Sequence, residues 1–165
     1  REQAARAFIT QRGAMLSARV RQSIVKETLS ILHDAEFAGM FSTDSRAEVT
    51  IAAEIPNPNS GTGKISPPLR LSGQIDRLVV EPDRVRIVDY KTNRPPPVKA
   101  EAVAESYLLQ LAAYRLAIAQ LYPDKAITSA LLWTDGPRIM EIPDHLIDAA
   151  SAKLWTLGVS GPNPS

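Results

Sequence analysis

The sequence predicts an α/β fold: one mixed central sheet flanked by helices, with a helical segment ahead of it. Three observations carry that expectation. Residues 1–41 place apolar side chains at roughly helical spacing, residues 47–90 hold three runs rich in Val, Ile and Leu, and a helix, two short strands and a last helix follow the prolines at 95–97.

In the first segment Ser17 is a plausible N-cap, and Val20, Ile24, Leu29, Ile31 and Leu32 form the apolar stripe of the helix it opens, with Arg19, Arg21, Lys26 and Glu27 off that stripe. Ala47 to Ile55 then reads as a strand. A loop is expected from Pro56 to Lys64. Its Gly63-Lys64 fails as a phosphate-binding loop, because Pro58 stands where the first glycine belongs and Ile65 where a Ser or Thr would bind magnesium. Leu69 to Val80 and Val85 to Tyr90 are strands, separated by the turn residues Glu81-Pro82-Asp83-Arg84. The prolines at 95, 96 and 97 end the third strand, since they cannot donate to a ladder. A helix from about Ala104 to Leu121 carries Tyr107, Leu111, Tyr114, Ile118 and Leu121 as its buried stripe. Ile127 to Thr134 and Arg138 to Ile142 are strands about an Asp-Gly-Pro turn, Pro143 to about Leu157 is a helix, and 159–165 is expected to fray. A single domain over 1–165 is expected, with its core at 42–158.

Composition narrows the chemistry. The chain has no cysteine, which excludes disulfides, thiolate zinc sites and iron–sulfur clusters. No long apolar span or secretory signal is present, so no membrane partner is expected and the cytoplasm is favoured. A net charge of +1 does not mark a polyanion binder, so any such partner must be read from local features.

The central hairpin is the informative feature. A tight turn on Pro82-Asp83 pairs Val80 with Val85 and Leu78 with Ile87, and would set Asp76 opposite Asp89 with Lys91 on the same face. Two opposed carboxylates repel and call for a cation between them. A hard divalent metal with oxygen ligands meets that need.

Gly73-Gln74-Ile75-Asp76, the run Val88-Asp89-Tyr90-Lys91-Thr92-Asn93, and a helix carrying Tyr107, Gln110 and Tyr114 together resemble the RecB-like branch of the PD-(D/E)XK nucleases. Within that branch Ser45 to Val49, Val88 to Pro96 and Ala130 to Thr134 look most like the carboxy-terminal nuclease domains of the AddA family of helicase–nuclease subunits. The resemblance implies a restriction-endonuclease-like fold and magnesium-dependent DNA hydrolysis, with manganese able to substitute. It implies that Asp76, Asp89 and the Tyr90 carbonyl bind the metal, that Lys91 meets the attacking water or the scissile phosphate, and that Gln110 and Tyr114 support the site. Glu48 takes a supporting role.

The implied partners are single-stranded DNA from an unwound duplex, helicase domains amino-terminal to this region of the same protein, and an AddB-like subunit. Arg94, Lys99 and Arg115 lie near the site in sequence and are candidates for guiding the DNA backbone. The family usually carries a metal-binding histidine on a helix upstream, and neither His33 nor His145 sits in that motif. The chain is therefore expected to be a fragment of a larger helicase–nuclease, with weak activity by itself. A non-catalytic DNA-binding module on the same fold is the alternative.

Overall fold

A computed structural model describes residues 2–58, 67–134 and 136–157 of the chain. Helix α1 (Glu2–Arg12) and helix α2 (Ala18–His33) lead, followed by a 3-10 segment over Ala35–Phe41. Ser17 caps α2, its hydroxyl accepting from the Val20 N–H at 3.3 Å, as its residue type predicts. Strands β1 (Ser45–Ile55), β2 (Leu69–Val80) and β3 (Arg84–Lys91) come next, then α3 (Glu105–Leu121), β4 (Ala126–Trp133), β5 (Arg138–Ile142) and α4 (Asp144–Leu157). Most of the loop expected at 56–64, and all of 159–165, lie outside the described residues.

The five strands form one sheet in the order of the chain. Neighbours are antiparallel except β3 and β4, which run parallel because α3 carries the chain back between them. Both faces are covered. One face, with Ile75, Leu78, Val85, Ile87 and Leu131, packs beneath α3 and α4 on Leu111, Ala113, Ile118 and Ile147. The other, with Val88, Ala130 and Leu132, packs on Ile31, Phe37 and Met40 of the amino-terminal segment. Coverage on both sides explains why successive residues are apolar and buried at Ile87-Val88 in β3 and at Ala130-Leu131-Leu132 in β4.

Two expected stripes are corrected. In α2 the buried side chains are Val25 and Ile31, while Val20 and Ile24 are exposed, because the helix docks on the sheet along a line rotated from the one the spacing suggests. In α3, Leu121 is exposed at the helix end, whereas Ala112, Ala113 and Ala117 are buried. This helix lies between the sheet and α4, so small residues fill a second face that a single-stripe reading overlooks.

The hairpin register is the one its turn dictates: Val80↔Val85, Val79↔Arg86, Leu78↔Ile87 and Arg77↔Val88. There the ladder stops. Asp76 and Asp89 are not a ladder pair, because β2 departs from regular alternation at this point. Ile75 and Leu78, three residues apart, both enter the core beneath α3, while Arg77 between them turns to the opposite face over the Phe41 ring. Strand β1 changes at the same level. Ala47 pairs with Arg77 and Val49 with Ile75, while Glu48 between them takes the left-handed conformation at φ 54°. For a residue with a Cβ that conformation costs on the order of 1–2 kcal/mol. The irregularity opens the sheet beside Asp76.

Candidate active site

The opening between β2 and β3 gathers most of the polar residues singled out in the sequence. The Asp76 carboxylate reaches across it and accepts the Tyr90 backbone N–H at 2.7 Å, taking the place of a backbone acceptor. Asp89 and Lys91, two apart on β3, point to the α3 side, where Lys91 Nζ lies 2.5 Å from Asp89 Oδ2. Lys91 also donates to Gln110 Oε1 at 3.0 Å. Gln110 Nε2 donates to the Tyr114 hydroxyl at 3.1 Å, and that hydroxyl donates to the Gln74 carbonyl at 2.7 Å. The four-residue spacing of Gln110 and Tyr114 on α3 brings both to the sheet. From Asp89 the polar chain runs unbroken back to β2, and the Gln74 side chain extends it to Glu48, donating to Oε2 at 2.6 Å.

Burial sets the electrostatics. Asp89 is 2% exposed, and desolvation raises its carboxyl pKa above the ordinary value. Lys91 opposes that rise, and the neighbouring Asp76 charge adds to it. Desolvation likewise raises the Tyr114 hydroxyl, against its hydrogen bond to Gln110, so it stays a neutral donor at physiological pH.

The donor set fits a hard divalent cation. Asp89 Oδ2 is buried against Lys91 Nζ at 2.5 Å, and a carboxylate has more lone pairs than this one contact occupies, so it keeps capacity for a cation. Among the described residues no group of three or more His, Cys, Asp or Glu side chains is arranged to hold a metal. Asp76 and Asp89 are the acidic side chains at this opening, and Tyr90 is the residue between Asp89 and Lys91.

The basic residues proposed from sequence separate. Arg94 pairs with Glu27 of α2 at 3.1 Å, which ties the segment after β3 to the amino-terminal helices. Arg115 bridges α3 to α4 through Asp144 at 3.2 Å and through Asp148. Lys99 is exposed just before α3.

Three residues quoted in the sequence motifs were given no role in the site. The Tyr107 ring, read as core, lies 4.1 Å from Lys91 Nζ, and its hydroxyl donates to Asn93 Oδ1 at 2.6 Å. Its i, i+3, i+7 spacing with Gln110 and Tyr114 was the available signal. Gln74 links Tyr114 to Glu48 through its carbonyl and its amide. Gly73 makes room for the tyrosine: a Cβ there would stand 3.1 Å from Tyr114 Cε1 and 3.3 Å from its hydroxyl.

A mixed sheet whose interrupted strands set two aspartates and a lysine against a glutamine and tyrosine of the crossover helix defines a class of nucleases. The chain belongs to the PD-(D/E)XK nuclease superfamily, whose family model matches residues 2–153. Its fold is accordingly restriction-endonuclease-like. Among solved structures it is similar to a "Putative exonuclease" from Eubacterium rectale, at 14% identity and a TM-score of 0.57, covering 91% of this chain and 57% of that one. It also matches SSO0001 at 16% identity and a TM-score of 0.40, covering 94% of this chain and 71% of that one. The chain thus spans little more than half the length of the first of these. No curated protein sequence matches it. No helix among the described residues is long and apolar enough to cross a membrane.

Proposed function

We propose that this chain is a metal-dependent DNA nuclease domain that hydrolyses strands delivered by an attached helicase during double-strand-break repair. The observation that carries the reading is the buried Asp89, its outward partner Lys91, and the hydrogen-bonded line through Gln110 to Tyr114. A buried acid paired this way is costly as mere scaffolding, and a nuclease needs it.

Magnesium, or manganese in its place, would be held by Asp76, Asp89 and the Tyr90 carbonyl, and when bound it supplies charge neutralisation and a more acidic water. Lys91 brings a positive charge to the scissile phosphate or the attacking water. Gln110 fixes the direction of that ammonium, and Tyr114 fixes Gln110 against the β2 backbone. Asp89, kept from bulk solvent, acts in a medium where each charge counts for more. Arg94 and Lys99, on the segment between β3 and α3, are the candidates for guiding a DNA backbone, and Arg94 would have to leave Glu27 to do so. Arg115 is engaged by two acids and holds α4. The similarity in motif to AddA-type subunits supports the helicase attachment and an AddB-like partner, with products ending in a 5′-phosphate and a 3′-hydroxyl.

The test is cleavage of end-labelled single-stranded DNA with magnesium, by the full-length protein and its Asp76→Ala, Asp89→Ala and Lys91→Ala variants. Each should lose roughly 100-fold or more in rate while its circular dichroism is unchanged. Near-normal cleavage by both aspartate variants would leave a non-catalytic DNA-binding module as the better reading.

A further inference from the structure

We infer that Tyr107 is a positioning residue for Lys91, holding the ammonium by its aromatic face when Asp89 is withdrawn from it. The inference rests on the nuclease reading above for its consequence in catalysis, but its geometry stands apart from that reading.

Among the described residues Lys91 Nζ has three polar or aromatic partners: Asp89 Oδ2 at 2.5 Å, Gln110 Oε1 at 3.0 Å and the Tyr107 ring centroid at 4.1 Å. An ammonium has three N–H bonds, so these three account for its capacity, and contact with a phosphate oxygen requires one of them to yield. Asp89 is the one that ligation of a cation would remove. Without it the remaining polar partner is a neutral amide oxygen, and a four-carbon stem with one such contact has several rotamers open to it. The tyrosine face supplies a second, electrostatic restraint that no metal competes for.

The ring is itself fixed. Its hydroxyl donates to Asn93, two residues beyond Lys91 on the same chain, and its plane is tilted 56° against Trp133 with centroids 6.3 Å apart. Trp133 is the register partner of Lys91 in β4 and is 2% exposed. Lysine, ring and indole are therefore built from two paired strands and the helix above them. The ring is only partly buried, packing against the front core on one side and facing the Lys91 ammonium on another.

The experiment uses two variants and two independent readouts. Tyr107→Phe keeps the ring and loses the Asn93 bond; Tyr107→Leu keeps apolar bulk and loses the ring. In NMR spectra of the metal-free protein, the Lys91 ε-methylene protons, assigned by their loss in Lys91→Arg, should be shifted upfield by the ring current. The shift should persist in Tyr107→Phe and on adding magnesium, and vanish in Tyr107→Leu. In the cleavage assay, Tyr107→Leu should lose about tenfold in kcat with KM little changed, and Tyr107→Phe should stay within about threefold of wild type. Absence of the upfield shift in the wild-type protein, or its survival in Tyr107→Leu, overturns the inference. So does wild-type kcat in Tyr107→Leu when Lys91→Ala is inactive. Should Lys91→Ala cleave normally, the nuclease role of Lys91 fails instead, and the NMR result alone decides the placement of Tyr107.

Discussion

Asp89 concentrates the physics of the site in one side chain. Burial raises its pKa while Lys91 opposes the rise, so the folded protein holds the Asp89 proton more tightly than the unfolded chain does. The sign follows: stability relative to an uncharged residue is present below the unfolded carboxylate value and is lost as pH rises through the folded one. Asp89→Asn should therefore gain stability relative to metal-free wild type as pH is raised from about 4 to 7, a gain that Lys91 reduces by offsetting part of the desolvation penalty. Thermal melts across that range check it, and a difference constant with pH would count against it. Gly73 gives a second prediction at this scale. The Tyr114 ring is 7% exposed and its hydroxyl is bonded on both sides, so it cannot move aside for a Cβ only 3.1 Å away. Gly73→Ala should cost about 1–3 kcal/mol. Adding Tyr114→Leu, which removes the ring, should recover much of that loss, and a double-mutant cycle in urea measures the coupling.

Strand β2 and helix α3 decide the site between them. The strand contributes Asp76 at the point where its alternation breaks, and the helix contributes Tyr107, Gln110 and Tyr114 from one side. Their relative position depends in turn on how α3 is held. Arg115 ties it to α4 through Asp144 and Asp148, both largely exposed, so the pairs are individually weak. Arg115→Ala should lower stability by under ~1 kcal/mol and leave the salt dependence of DNA binding unchanged. A shallower salt slope in that variant, measured by fluorescence anisotropy, would assign Arg115 to the phosphate backbone after all.

For the molecule as a whole, the two faces of the sheet make unequal use of the amino-terminal segment. Helix α1 buries no residue, whereas Phe37 and Met40 are 0% and 1% exposed against the back of the sheet. Deleting 2–12 should shift the melting temperature by only a few degrees, while deleting 1–41 strips the cover from Val88, Ala130 and Leu132 and should prevent cooperative folding. Differential scanning calorimetry of the two truncations distinguishes them, and a cooperative transition in the longer deletion would show that the front core suffices. Addition of magnesium should raise the melting temperature of wild type but not of Asp89→Asn, since a ligand stabilises only the state that binds it.

What the sequence determined by itself was local. The Pro82-Asp83 turn set the hairpin register through Arg77↔Val88, the Gln110 and Tyr114 spacing set their common direction, and Ser17 set the start of α2. These features are short-range, so residue type and periodicity suffice to read them. Tertiary structure decided the rest. The break at Glu48 and Asp76 arises where two neighbouring strands leave regular pairing together, which no single-strand pattern encodes. The contact of Lys91 with Asp89, and the Gln110 amide of α3 that holds Lys91 there, formed only with the helix in place. Docking angles selected Val25 over Ile24 and buried the alanines of α3, because which face of a helix is covered depends on what lies above and below it. Tyr107 joined the site for the same reason: its contact with Lys91 forms only when strand and crossover helix close on each other.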